Sequence, residues 1–405
     1  MKISRELLLM TVAMVIANTA GSMVWTLLPL YLEELGASVQ EIGFYFTIEV
    51  VMSIFFRILG GWLSDHTGRL PTIAWGGVVG LGAYLIFAIA PTWQLTIVGA
   101  LLGAISGSLV SPSFQAYTAE QAPEESRGSA YGMVQGMFLI CMIIGPLMGG
   151  VMAQELGYRA MLWTAAGIYG AATVMRVWMA RGTRFELQEL HVGELRRDIV
   201  GLLMLIGAGG LLAWLFVVDG LIDSSMQIAM PFAPKYITEN GNMNEAAYGG
   251  LVAWMSVVGA LAMLAGGMFS DRYGERWSIG VGLVAFCIVW GLFVLIPGQI
   301  VFIVAFSLVG VSQAFIVPAF SALLSKAVPA NSLGITWGVF DTARGTLAVP
   351  APSVGGWLYD HVAPWATFAA SGLATLIALP ITLRFLRTPP TQGEPETAPE
   401  VAPQA

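Results

Sequence analysis

The chain has 405 residues, 57% of them hydrophobic and only 11% charged, with a formal net charge of −7 and a mean hydropathy of +0.76. A water-soluble domain carries about 25% charged residues, so this chain lacks the polar surface to cover itself in water, which excludes an ordinary soluble enzyme and a disordered protein. It also lacks the basic face that a nucleic acid would require.

A membrane-crossing helix takes about 20 mostly apolar residues. In chain order, such runs fall at roughly 6–32, 40–62, 71–91, 94–118, 128–153, 159–180, 205–233, 246–268, 277–297, 300–326, 333–358 and 364–386. The first is too long for a cleavable leader, and Asn18, Thr19 and Ser22 interrupt it without a small-residue cleavage site. The runs are continuous rather than alternating, which excludes a β-barrel. The expected fold class is therefore all-α and integral to a membrane, with twelve transmembrane helices. With Met1 inside, thirteen lysines and arginines fall in cytoplasmic segments, Arg69, Arg127, Arg181, Arg272 and Arg384 among them, against Arg159 and Lys235 outside. That asymmetry places both termini in the cytoplasm and the chain in the cell (plasma or inner) membrane.

The segment 181–204 between the sixth and seventh runs is charged (Arg184, Glu186, Glu189, Glu194, Arg196, Arg197, Asp198) with Phe185, Leu187, Leu190 and Leu195 interleaved. That pattern suits a short helix lying along the membrane face. It separates a bundle at 1–180 from a second at 205–387, and the proline-rich stretch 388–405 reads as a disordered tail.

The two bundles are copies. A shift of 206 residues aligns Gly61-Trp62-Leu63-Ser64-Asp65-x-x-Gly68 with Gly267-Met268-Phe269-Ser270-Asp271-x-x-Gly274. The same register pairs Pro112 with Pro318, Phe114 with Phe320, Pro123 with Pro329, Gly128 with Gly334, Gly132 with Gly338, Pro146 with Pro352, and Gly149-Gly150 with Gly355-Gly356. With one residue fewer, Pro29-x-Tyr31 meets Pro234-x-Tyr236. A repeat unit of this size means two parallel six-helix halves.

Two such halves around a cytoplasmic linker resemble the major facilitator superfamily, and Gly61-x-Leu63-Ser64-Asp65-x-x-Gly68-Arg69 resembles that family's loop signature, with His66 in place of a basic residue. The second copy keeps Gly267, Asp271, Arg272, Gly274 and Arg276. The resemblance implies two pseudo-symmetric bundles with helices 1, 4, 7 and 10 around a central cavity, and alternating access by rocking of the halves. Physically, Asp65 at the exit of helix 2 can accept from a neighbouring helix end or from Arg69 and Arg127. Such an ionic latch would favour one conformer; the plainer alternative is a capping turn. In the fifth run, Gly132-x8-Cys141-x3-Gly145-Pro146-x2-Gly149-Gly150 is similar to a pattern that the family links to antiporters, mainly drug–proton exchangers, with Cys141 where that pattern has glycine. Glycine there allows close helix approach and proline bends the helix. The eleventh run repeats Pro352-x2-Gly355-Gly356, so symmetric packing is the alternative reading. The arginine that many proton-coupled members carry in helix 4 is missing from Gly99-Ala100-Leu101-Leu102-Gly103.

An ionisable group inside a bilayer costs about 2.5–3.5 kcal/mol even on lenient scales, so each is expected to face a cavity or a partner. Glu49 lies near the midplane of the second run and is the first choice for a titrating carboxylate, a salt bridge to Arg57 being the alternative. Asp219, Asp223 and Gln227 recur every fourth residue on the seventh run, as Asn18, Ser22 and Thr26 do on the first. Both stripes are candidates for a substrate or proton site, or for plain helix-to-helix hydrogen bonding. Asp341 and Arg344, three residues apart, form a structural ion pair or one that an anionic substrate or a proton opens. Asp341 corresponds to Gln135 in the first copy. Ser108, Ser111, Gln115, Ser312 and Gln313 are candidates for the remaining cavity wall, with Trp25 and Trp254 as aromatic faces. Arg57 and Arg176 are expected to snorkel toward the membrane surface.

No phosphate-binding Gly-x4-Gly-Lys-Ser/Thr loop appears, and His66, His191, His361, Cys141 and Cys287 have no metal-ligand or nucleophile spacing. Neither enzymatic activity, nor a cofactor, nor a metal is expected. The expected function is secondary transport of a small organic solute, outward in exchange for protons, by a monomer. Proton-coupled uptake of a sugar or carboxylate is the second reading. A non-transporting receptor or scaffold on the same fold is the third.

Overall fold

The computed structural model describes residues 4–121, 127–181, 183, 210–296, 298–327 and 345–386, with the backbone alone for 57–67, 127–131 and 327. All regular structure among them is helical. The first half comprises α1 (Arg5–Glu34), α2 (Val39–Thr67), α3 (Arg69–Ile89), α4 (Trp93–Gln121), α5 (Arg127–Leu156) and α6 (Tyr158–Ala180). The second comprises α7 (Leu211–Ala229), a 3-10 turn (Met230–Phe232), α8 (Ala233–Gly241), α9 (Glu245–Tyr273), α10 (Glu275–Leu295), α11 (Gln299–Ala327), α12 (Ala351–His361) and α13 (Pro364–Phe385). Ten spans among the described residues are long and apolar enough to cross a membrane. The sixth and eleventh runs correspond to α6 and to α12. The predicted interfacial helix in the linker and the tail lie outside the described residues, as do Asp341 and Arg344.

Helix ends follow from local chemistry. Ser38 caps α2 through a capping box with Glu41, and Asn244 caps α9. The turns α2–α3 and α9–α10 pass through Gly68 and Gly274 at φ 84° and 91°, a region closed to most residues with a Cβ. The seventh run departs from expectation. It continues past 233 to Gly241 as a broken span, because Pro231 and Pro234 lack the N–H that a straight helix would use.

The packing repeats as the sequence does. α1 packs on α5 and α6, α2 on α4, and α3 on α4 and α6. In the second half α7 packs on α12 and α13, α9 on α11, and α10 on α11 and α13. Matching hydrogen bonds fix the register: Tyr31 Oη donates to the Phe87 carbonyl at 2.7 Å, and Tyr236 Oη to the Phe293 carbonyl at 2.8 Å. The halves meet along α5·α9 and α2·α12. Outward-facing side chains such as Leu261, Leu264 and Ile300 are apolar and exposed, as contact with lipid requires.

Candidate functional site

The halves join at the end of the bundle remote from the chain termini, here called the distal end. Four glycines bring the backbones together there. A Cβ on Gly150 would lie 2.5 Å from the Glu245 carbonyl oxygen, and one on Gly249 2.2 Å from that of Pro146. Across the repeat, a Cβ on Gly356 would lie 2.7 Å from the Val39 carbonyl oxygen, and one on Gly43 2.5 Å from that of Pro352. Each pair maps onto the other by the 206-residue shift. The neighbouring Gly149 and Gly355 turn instead to their own halves, where a Cβ would meet the Met23 and Ile228 carbonyl oxygens at 2.8 and 2.1 Å. Each Gly-Gly doublet therefore seats one helix face within its half and the next face on the opposite half.

Polar contacts seal the same end. The Gln40 N–H, in the unsatisfied first turn of α2, donates to Asp360 Oδ2 of the other half at 2.8 Å. Thr47 and Ser353 hydroxyls are 2.7 Å apart, and Tyr158 Oη donates to Glu245 Oε1 at 3.2 Å. Ser256 Oγ donates to the Met142 carbonyl at 3.2 Å. Lys235 pairs with Glu33 of α1 and, at 2.9 Å, with Glu239 of its own α8. One cation thus serves a carboxylate from each half.

The terminal end differs. Among the described residues no hydrogen bond or ion pair joins the halves there. Arg69 Nε binds Glu120 Oε1 at 3.0 Å within the first half, and Lys326 binds the buried Glu275 within the second. Asp271 is exposed and has no hydrogen bond or ion pair among the described residues, while Arg272 lies over the Tyr273 ring. The backbones of Gly61, Asp65 and Arg127 sit in α2 and α5 as expected; their side chains are outside the description.

The stripe residues separate into two groups. Asn18 and Thr26 of α1 are partly exposed and bond their own helix at Met14 and Ser22. Ser111 and Gln115 of α4, Gln135 of α5 and Gln313 of α11 are exposed, and Gln227 is partly so. Trp25 is 52% exposed and meets Phe46 edge-on. Asp219 is buried and Asp223 partly exposed, and neither is without a partner. Glu49 is half-buried in α2 and makes no hydrogen bond or ion pair among the described residues.

Four expectations are corrected. Ser22 lies in the α1–α5 seam, not on a cavity wall: its hydroxyl donates to the Cys141 carbonyl at 2.7 Å, filling the space left by Gly145. Ser108 and Ser312 are buried and bond their own helices. Trp254 shares an α9 face with Leu261 and Met268, away from Ser256 and Gly249 on the seam with α5, so it belongs to the apolar perimeter, where Ser307 satisfies its N–H. Arg176 does not snorkel. It is 1% exposed, its guanidinium over Tyr169 and against Met14 Sδ.

The residues that sequence reasoning missed are Gly43, Gly249, Lys235 with its two glutamates, and the pair Glu275–Lys326. The 206-residue register that pairs Pro146 with Pro352 also pairs Gly43 with Gly249, and Arg69 and Glu120 with Glu275 and Lys326. The signal was present for those four. For Lys235 it was not, because the contact is not symmetric.

A family model described as Major Facilitator Superfamily matches residues 10–222 and 215–404. Among curated relatives, a multi-drug resistance efflux pump PmrA homolog of Lactococcus lactis subsp. lactis (strain IL1403) is 24% identical over 385 residues, covering 92% of this chain and 93% of its own. The multidrug resistance protein MdtG of Yersinia enterocolitica is 28% identical over 326 residues, covering 76% and 75%. Of solved structures, that of the nucleoside transporter NupG superposes with a TM-score of 0.77 at 13% identity, covering 95% of this chain and 100% of that one. A bacterial homologue of the iron transporter ferroportin in an inward-facing state reaches 0.71 at 15% identity, covering 95% and 100%. With the family model matched across both six-helix copies and the duplicated, glycine-joined architecture in place, this chain belongs to the Major Facilitator Superfamily of membrane transporters.

Proposed function

We propose that the chain exports a small organic solute in exchange for protons, working as a monomer in the cell membrane with both termini in the cytoplasm. The observation that carries this reading is Glu49, a half-buried carboxylate deep in a membrane-crossing helix with no partner among the described residues. A bilayer exacts several kcal/mol for an ionised group, so a carboxylate kept there unpaired is suited to cycle between charged and neutral forms. The efflux pumps named above supply the outward direction by similarity.

In this reading the conformation described is closed distally and open toward the termini, and it loads solute from the cytoplasm. The exposed Ser111, Gln115, Gln135 and Gln313, with Asn18, Thr26, Gln227 and the α7 aspartates, form the solute-facing surface. Proton release from Glu49 toward the cytoplasm leaves it charged and favours the return of a protonated state from outside. Closing the terminal end brings the α2–α3 and α9–α10 turns against the opposite half, where Asp65 and Asp271 find N–H or cationic partners and act as latches. Asp65→Asn is then expected to slow cycling without unfolding the protein.

The test is reconstitution into vesicles with an imposed pH gradient. Solute accumulating in an acidic lumen supports exchange, whereas accumulation driven by an acidic exterior would establish uptake, and no response to the gradient would remove proton coupling altogether. Glu49→Gln is expected to abolish gradient-driven flux while sparing downhill exchange; unchanged driven flux takes Glu49 out of the mechanism.

A further inference from the structure

On the perimeter of the first half, away from the solute path, α3 and α6 leave a groove of about 600 Å³ between them. Both helices pack on helices of their own half, α3 on α4 and α6, and α6 on α1 and α5, so this groove faces the lipid. Its floor is Gly170 and Ala171, its sides are Val78, Leu81 and Val174, and its mouth at the terminal end is Trp178 and Arg181. From Gly170 to Arg181 the helix rises about 16 Å at 1.5 Å per residue. That is the depth of one leaflet of a hydrocarbon core about 30 Å thick. The groove therefore runs from the membrane centre to the headgroup level, with an indole and a guanidinium where lipid headgroups lie.

Charge chooses the headgroup. Arg181 is exposed and has no carboxylate partner among the described residues. One and a half turns deeper on the same helix, Arg176 is a second cation without a carboxylate among them; its Nε, buried behind α3, has no hydrogen-bond partner, and its Cδ would be 3.5 Å from a Cβ on Gly77. Among the described residues no acidic side chain lines the groove. Arg181 at the mouth, with the buried Arg176 deeper in the same helix and outside the lining, gives a positive potential that a zwitterionic headgroup does not neutralise and an anionic one does. We propose that this groove binds one acyl chain of an anionic glycerophospholipid in the leaflet on the side of the chain termini, with its phosphate at Arg181.

The experiment uses the full chain in vesicles containing phosphatidylglycerol or phosphatidylcholine that carry the same photoactivatable group in the acyl chain. After irradiation, adducts are mapped by mass spectrometry. Adducts on residues 170–178 are expected to be about fivefold more abundant with phosphatidylglycerol, the preference that about one basic residue near an anionic lipid provides. Arg181→Gln, a change at an exposed position that leaves the helix packing alone, is expected to bring that excess down to the phosphatidylcholine level. Ala171→Phe, which fills the floor from an exposed position, is expected to remove adducts there with both lipids while adducts elsewhere persist. Equal labelling by the two lipids in the unmodified chain, or an excess that survives Arg181→Gln, would overturn the proposal in favour of an unselective lipid annulus.

Discussion

The two halves share a backbone plan and differ in where they put charge. Arg69 and Glu120 join α3 to α4 in the first half. The residues at the same register in the second, Glu275 and Lys326, join α10 to α11 with the signs exchanged. The first half buries Arg176 where the second has Thr382, also buried but bonded to its own helix at Ala378. α1 runs unbroken through Pro29 to Glu34, whereas its counterpart breaks at Met230–Phe232. Geometry of the joint is thus held equal between the copies while electrostatics is free to drift. Backbone contacts at glycine have no substitute residue; an ion pair works in either polarity.

The largest effect is expected at that shared geometry. Gly150→Leu and Gly356→Leu place side chains where the opposite backbone lies, and overpacking of this kind costs about 1–3 kcal/mol. Each variant should shift the population away from the distally closed form by about 5- to 150-fold and reduce transport accordingly. Cysteine accessibility at the distal end reads this directly. An effect from one variant only would show that the two seams are not mechanically equivalent.

Next come the inverted ion pairs. Lys326→Ala deprives a buried carboxylate of its cation, a loss of about 1–3 kcal/mol, while Glu120→Ala breaks a solvent-exposed pair worth about 0.2–1 kcal/mol. Thermal unfolding in detergent should rank them in that order. The exchanged double variant Arg69→Glu with Glu120→Arg should recover the stability that Arg69→Glu loses, since the second half already uses that polarity; failure to recover would mean that polarity matters locally. Smaller and equal effects are expected from Tyr31→Phe and Tyr236→Phe, each removing one buried hydrogen bond worth about 0.5–1.5 kcal/mol. Unequal losses would place the core of one half under greater demand.

The smallest effect belongs to Lys235→Met. Its pairs with Glu33 and Glu239 are partly exposed and worth about 0.2–1 kcal/mol each, so the distal end should open about two- to fivefold more often. Adding Glu33→Gln, which removes the repulsion left behind, should close it again, as distance measurements between labelled α1 and α8 would report.

Much of this molecule is legible in its residues alone, because a bilayer admits few solutions: continuous apolar runs must be helices, and one register surviving from Gly61 to Gly356 requires two copies. The glycine doublets are legible as close contacts, but not which neighbour each residue chooses, since adjacent positions on a helix face directions about 100° apart and only packing decides what lies there. The polar stripes are less legible. Ser22 and Trp254 sit on periodic positions that look cavity-facing, yet a small hydroxyl fits a helix seam by bonding a backbone carbonyl, and an indole fits the perimeter by bonding Ser307. Arg176 misleads for the opposite reason: its long side chain has the length to reach the surface, and an aromatic ring and a thioether hold it inside.

Lys235 reaches across the joint to Glu33 from a position where the first copy, at Leu30, offers only a hydrocarbon. Two identical copies of the first half, brought face to face, would set glutamate against glutamate with nothing between them. The clasp therefore works only between unlike halves. Co-expression of the separated halves should accordingly give mixed pairs in preference to like pairs.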